Sequence, residues 1–255
     1  MLNIVIPMAG AGSRFSNLGY TSPKPLIYVH GTPMIKVVID NLTPKCDHRF
    51  IFICQKAHVV EYDLKEKLNE WTSGCKIVEI DGLTQGAACT VLAARDLICN
   101  ESALMIANSD QFITENINNY LVALDSEELD GLIMTLNSKD PKWSFVTKNS
   151  DGHVDRVAEK EVISDEATVG IYNFRKGADF VFAAESMIGS GLRVNGEYYV
   201  APVYNVLAGI GKKIGTYNIG SEGIGMHGLG TPFDLENFLS NPASNKLKFN
   251  NYESN

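Results

Sequence analysis

Short apolar runs alternate with helix-like patterns over about the first 135 residues, and this alternation restricts the fold more than any other feature. Leu2–Ile6, Arg49–Cys54, Lys76–Ile80, Ala103–Ala107 and Gly131–Thr135 read as buried strands, being continuous and β-branched or aromatic. Between them, Met34, Ile35, Val38, Ile39 and Leu42 fall at helical spacing, as do Val60, Leu64, Leu68 and Trp71. Gly86–Cys99 and the stretch from Ile117 to Leu124 complete the series. Strand and helix in alternation imply an α/β fold with a mainly parallel central sheet and helices on both faces. Ligands of such sheets sit beyond the carboxyl ends of strands. Two small polar segments, at Gly10 and at Asp110, follow predicted strands directly and are expected to share one crevice.

The pattern changes after residue 135. Ser144–Thr147, Val154–Val157 and Thr168–Phe174 are short strand candidates, the first two split by the turn signal Asp151-Gly152. Helices are predicted around 176–187 and 198–208, then a strand from Lys213 to Ile219 and a helix starting at Thr231-Pro232. The expectation is one domain over residues 1–241, with residues 1–135 as its alternating α/β half and residues 136–241 as a smaller, β-rich half. The polar tail 242–255 is expected to fray.

The net charge of −8 and the absence of a basic run argue against a nucleic acid partner. They do not argue against small phosphorylated ligands, which need only a few placed cations. The N-terminal run lacks a basic export region and is broken by Pro7 and the glycines. No stretch approaches the roughly 18–20 apolar residues of a spanning helix, so a cytoplasmic protein with no membrane partner is expected. The five cysteines form no CxxC pair and read as reduced, mostly buried thiols.

The first strand opens into Ala9-Gly10-Ala11-Gly12-Ser13-Arg14. A loop of such small residues brings backbone N–H groups close to an anion, and Arg14 adds a fork suited to phosphate oxygens. Lys24, between two prolines, supplies a second cation. A dinucleotide fingerprint would need a third glycine where Phe15 stands, and no Walker A sequence occurs. A tight packing turn and a triphosphate loop both remain compatible with the glycines alone.

Gly10-Ala-Gly-Ser-Arg14, Ser22-Pro-Lys-Pro-Leu26 and Thr32-Pro-Met-Ile35 resemble, in order, the G-x-G-x-R, P-K-x-L and P-M-I signature of sugar-phosphate nucleotidylyltransferases, also called nucleoside-diphosphate-sugar pyrophosphorylases. Further matches follow at Asp81 to Gly86, Asn108-Ser-Asp110, Glu159-Lys160, Gly170-Ile-Tyr172, Gly196-Glu197-Tyr198 and Gly230-Thr-Pro232. The resemblance runs from about residue 4 to 240. It implies a Rossmann-like nucleotidyltransferase fold; the chain is short for the family, and no room for an appended acyltransferase or regulatory domain is expected. It also implies transfer of a nucleoside monophosphate from an NTP to a sugar phosphate, with release of pyrophosphate.

By that resemblance Arg14 would hold the β- and γ-phosphates, Lys24 would bridge the α-phosphate and the incoming phosphate, and Asp110 would hold Mg²⁺. Ala9, Gly10, Ala11, Gly12 and Ser13 would line the triphosphate, with Gln85 and Gly86 at the base. Glu159, Lys160, Gly170, Tyr172 and Glu197 would bind the acceptor. An NDP-sugar for surface polysaccharide is the simplest product. The chain departs from the family at Gly228, where many members carry a second metal-binding aspartate; the adjacent His227 is a poor Mg²⁺ ligand. Phosphocholine or phosphoglutamine cytidylyl transfer is therefore an alternative, and a non-catalytic nucleotide-binding regulator is another. His30, His48, His58 and His153 match nothing and read as surface residues. The resemblance implies homo-oligomers, with the apolar stretch 198–210 a candidate interface.

Overall fold

The computed structural model describes residues 1–250 and, for side chains, residues 1–247. Nine strands form the main sheet: β1 (Leu2–Pro7), β2 (His48–Gln55), β3 (Lys76–Ile80), β4 (Ala103–Ala107), β5 (Gly131–Asn137), β6 (Ser144–Lys148), β7 (Val154–Glu159), β8 (Glu166–Phe174) and β9 (Ile214–Ser221). β1 lies between β2 and β4 and is parallel to both, and β3 continues the parallel set beyond β2. β8 enters antiparallel between β4 and β5, and β9 adds parallel to β5. β1–β6 and β9 therefore run one way and β7 and β8 the other. The expected mainly parallel sheet is present, interrupted by the antiparallel β8 and edged by the antiparallel β7.

The strands carry a two-residue period across two buried faces. Ile4, Ile6, Phe50, Phe52 and Met105 face one apolar cluster, with Ile35, Val38, Leu64, Leu68 and Tyr120 from helices 34–42, 64–71 and 117–126. Val5, Ile51, Ile53, Leu104 and Ile106 face the other, covered by Val91, Phe180, Ala184 and Leu207 from helices 87–92, 177–189 and 203–209. Burial on both sides is why these strands read as continuous apolar runs. A third cluster lies apart from both faces and joins Phe15, Ile27, Met34, Phe112, Leu229, Leu235 and Phe238.

Several expectations are corrected. The helix predicted from Val60 to Trp71 is two, Lys56–Glu61 and Leu64–Trp71, because Asp63 takes a left-handed backbone at φ 52°. The helix predicted over 86–99 breaks between Leu92 and Arg95. The stretch 198–210 is not a free apolar face: Tyr198, Val200, Ala201, Val203, Tyr204 and Leu207 are buried in the chain's own core. Of the cysteines, Cys54 is buried, but Cys46 and Cys99 are exposed because they lie in connections at the strand starts rather than within strands. The tail does not fray at its start. Pro242–Ser244 forms a 3₁₀ turn, Ser244 is fully buried, and its Oγ bonds His30 Nε2 at 2.8 Å, so His30 is half-buried rather than a surface residue. Residues 251–255 lie outside the described residues.

A strand that sequence reasoning missed, Met226–Gly228, pairs with Gln111–Ile113. Three-residue ladders are too short to show a period. Among the described residues no helix is long and apolar enough to cross a membrane.

Two measurements test this packing. Phe174 is fully buried and stacks on Tyr204 with centroids 4.6 Å apart, so Phe174→Ala should lower the unfolding free energy by about 3–5 kcal/mol in urea titration. His227 packs between Phe112 and Phe238, and burial pushes its pKa down. Folding thus favours the neutral ring. This contribution is complete above an ordinary histidine pKa of about 6.5 and is lost as pH falls through the lowered folded value. Replacement by Asn should flatten that region of the stability–pH curve.

Candidate functional site

The parallel pairing of β1 and β4 brings their carboxyl ends to one edge of the sheet. There the glycine loop after β1 and Asn108–Asp110 after β4 face each other across a cavity of about 370 Å³. Ala9, Gly10, Ala11, Lys24, Gly86 and Asp110 line it. The backbone N–H groups of Gly10, Ala11 and Gly12 have no acceptor among the described residues, and Gly12 is left-handed at φ 62°. The loop therefore presents donors rather than closing on itself. Ser13 is exposed where the short helix Ser13–Ser16 begins.

Lys24 and Asp110, distant in sequence, meet here. Lys24 Nζ donates to Asp110 Oδ2 at 2.7 Å, and both side chains are about three-quarters buried (24% and 23% exposed). Gly230 makes room for the carboxylate, since a Cβ there would lie 2.7 Å from Asp110 Oδ2. The short ladder of Gln111–Ile113 with Met226–Gly228 and the bond from Leu229 N to Asp110 O (2.8 Å) hold this corner.

A second cavity, of about 440 Å³, shares Ala87, Asn108, Glu197 and Tyr199 with the first. It opens where β8 splays. The amino end of β8 bridges β6 at Ala167–Phe145, its carboxyl end pairs with β4, and the register shifts between Thr168 and Tyr172. Gly170 sits in that shift at φ 82°, and a Cβ there would meet Asn108 Nδ2 at 2.1 Å. Glu159, Lys160, Gly170, Tyr172 and Glu197 line this cavity. Arg14 lines it too, rather than the first, and has no ion-pair partner among the described residues.

Burial pushes the Glu159 carboxyl above the usual carboxylate range, against a hydrogen bond from Ser144 Oγ and the charge of Lys160. Lys160 adopts φ 57°, and its Nζ donates to Tyr199 Oη at 2.8 Å; that bond is the main reason its pKa is raised. Burial pushes Tyr172 up strongly, and its hydroxyl pairs with Thr168 Oγ1 at 3.0 Å.

Gly12, Ser13 and Gln85, all expected at the nucleotide, do not line the first cavity. The Gln85 side chain lies outside it, where Oε1 accepts from Arg193 Nη2 at 3.2 Å. The reason is in the backbone. Tyr198 N donates to Gln85 O at 2.8 Å and Ala88 N to Tyr198 O at 3.0 Å, while Gly86 turns the chain at φ 121°.

Sequence reasoning missed Tyr199, Trp143 and Lys142. Tyr199 and Glu197 are delivered by a hairpin whose turn residues, Asn195 and Gly196, take φ 50° and 81°. Asn-Gly is the usual signature of that turn and was a signal available in the sequence. At Gly228, a Cβ would meet the Asp234 carboxylate at 3.6–3.7 Å. Asp234 is itself engaged in capping its helix, with Thr231 Oγ1 donating to Oδ2 at 2.7 Å.

The pattern defining the family described as Nucleotidyl transferase matches residues 4–190. The chain belongs to the nucleotidyl transferase family. Among family relatives, the bifunctional protein GlmU of Lactobacillus johnsonii is 25% identical over 236 residues, covering 88% of this chain. The chain spans about half the length of the curated relatives it matches (48% for this one). The nucleoside-diphosphate-sugar pyrophosphorylase of Vibrio cholerae RC9 superposes with a TM-score of 0.79 at 27% identity, over 92% of this chain and 99% of the other. The inositol-1-phosphate CTP transferase of T. maritima shares the fold, with a TM-score of 0.69 at 15% identity, over 94% and 95% of the two chains.

Gly86→Ala tests how the turn beside the first cavity is built. Its Cβ would lie 2.5 Å from Tyr198 O, against backbone that cannot yield. The variant should bind NTP at least about tenfold more weakly by calorimetry and should melt at lower temperature.

Proposed function

We propose that the chain is a Mg²⁺-dependent nucleotidyltransferase that joins an NTP to a sugar phosphate, releasing pyrophosphate and forming an NDP-sugar. The carrying observation is the pair of cavities that share the wall Glu197–Tyr199, one with free loop amides and Lys24–Asp110, the other with Arg14, Glu159 and Lys160. Two anionic substrates placed there would meet at the shared wall.

A phosphate oxygen of the acceptor attacks the α-phosphorus in line, and the bond from that phosphorus to the β-phosphate bridge breaks. Positioning and charge neutralisation supply most of the rate in such transfers. Lys24 reduces repulsion between the two reacting anions once nucleotide phosphates draw it from Asp110. Arg14, unpaired and facing the acceptor cavity, serves that same junction. Among the described residues no cluster of three or more His, Cys, Asp or Glu could hold a metal by itself. Asp110 and Glu197 nonetheless fit Mg²⁺, which is commonly held by one or two carboxylates with substrate phosphates completing the shell. The ion, when bound, would neutralise phosphate charge.

The acceptor cavity favours a polyhydroxylated phosphate over a choline-like one. Glu159 and Glu197 can accept from hydroxyls. The aromatic faces that would hold a quaternary ammonium already carry lysines, with Lys142 Nζ 4.9 Å from the Trp143 ring centre and Lys160 Nζ 4.9 Å from that of Tyr199. A cytoplasmic NDP-sugar for surface polysaccharide fits this reading.

A pyrophosphate-release screen of four NTPs against sugar phosphates and phosphorylated alcohols should show turnover with at least one sugar phosphate. Tight NTP binding with no turnover on any pair would identify a binding protein instead. With the active pair, Arg14→Ala and Asp110→Ala should each lower kcat/KM by about 10²-fold or more while the thermal melt stays cooperative. Near-full activity in either would remove that residue from the site.

A further inference from the structure

A third cavity, of about 330 Å³, adjoins the second through Lys142, which lines both. That volume suits a small molecule. The cavity lies against the short ladder that follows Asp110, and His227, Gly228, Phe233, Asp234 and Asn237 are among its walls. Gly228 is where the chain departs from its family. A Cβ there would already touch the Asp234 carboxylate at 3.6–3.7 Å, so the glycine keeps this space open.

Several polar groups of the cavity are unused. His227 is the one buried histidine, 5% exposed, and its Nε2 has no partner among the described residues. The ring bonds the Ile224 backbone, and with Nε2 unpaired the donor to that carbonyl is Nδ1–H. Burial favours the neutral ring, so Nε2 is a lone-pair acceptor with no O–H or N–H to meet it. Asp234 Oδ2 accepts from the Thr231 hydroxyl, but Oδ1 has no hydrogen-bond partner among the described residues, and the Asn237 amide has none either. The Phe233 ring, 70% exposed, adds a bare apolar face.

These groups select the ligand. The unused acceptors outnumber the unused donors, so the ligand must bring donors of its own. Glu222 and Asp234 disfavour an anion. Lys142, paired with Glu222 at 2.7 Å, already supplies a cation. Among the described residues no three His, Cys, Asp or Glu side chains converge to hold a metal. A sugar ring meets the remaining terms. Its hydroxyls donate to Nε2 and Oδ1 and pair with the amide, and its C–H face packs on an aromatic ring. We propose that this cavity is a second sugar-binding site, taking a neutral hexose-type ring. A free sugar and the second unit of a longer acceptor share that chemistry.

The test is NMR of the imidazole nitrogens of the full chain, titrated with the methyl glycosides of glucose, galactose, mannose and N-acetylglucosamine. At least one should shift His227 Nε2 saturably. His30, His48, His58 and His153, which lie outside the cavity and are half-buried rather than the surface residues expected, should not move. Phe233→Ala and Asn237→Ala should each weaken that glycoside by about threefold or more. Both side chains are exposed, so folding is preserved. No saturable shift with any glycoside, unchanged affinity in both variants, or tighter binding of ethanolamine than of every glycoside would overturn the site. A turnover assay separates the two sources. If the variants raise KM for a disaccharide phosphate and not for the matching monosaccharide phosphate, the site takes the acceptor's second unit. If they move neither, it takes a free sugar. A rise in both would place these residues in the second cavity and overturn the separate site. The titration uses no nucleotide, so its failure leaves the nucleotidyltransferase reading intact.

Discussion

The third apolar cluster is the constraint on which the site depends. Phe15 follows Arg14, Ile27 follows the Lys24 segment, Phe112 lies two residues after Asp110, and Leu229 lies between Gly228 and Gly230. Each of these four segments is thus anchored by one buried side chain in a common core. Exposed polar loops have little to hold them in place. Here, burial of Phe15, Ile27, Phe112 and Leu229 fixes the backbone from which the polar groups project. Phe238 and Leu247 close the same cluster from the C-terminal side, which is why the segment after Asn241 packs instead of fraying.

The antiparallel strand β8 makes the second cavity. A wholly parallel sheet would have covered that edge with another helix. Instead β8 pairs with β4 along one half, leans to β6 along the other, and pivots at Gly170, where only a residue without a Cβ clears Asn108. The gap receives Glu159 and Lys160 from the end of β7 and Glu197 and Tyr199 from the Asn195-Gly196 hairpin. The same hairpin is bonded to the Gln85–Ala88 backbone. The walls of both cavities are therefore one piece of structure.

Much of the fold was legible because its signals are local. β1, β2 and β4 are buried on both faces, so their apolar runs stand out, and the helix caps at Thr231 and Pro232 are read from chemistry in adjacent residues. The breaks at Asp63 and near Ala93 were not legible, since the apolar spacing continues across them. Nor was the ladder of Met226–Gly228 with Gln111–Ile113, whose partners lie far apart in the chain.

The sequence by itself determined the order of the main strands and helices, the small-residue loop after the first strand, and the residue types Arg14, Lys24, Asp110, Glu159 and Lys160 near strand ends. These follow from side-chain period and from what glycine permits, both properties of neighbouring residues. Only the tertiary structure decided which cavity each side chain lines. Lys24 meets Asp110 across 86 residues, Arg14 turns to the second cavity, and the Gln85 side chain meets Arg193 across 108 residues. Such pairings depend on how the sheet and the third core bring distant segments together, and no local spacing encodes them.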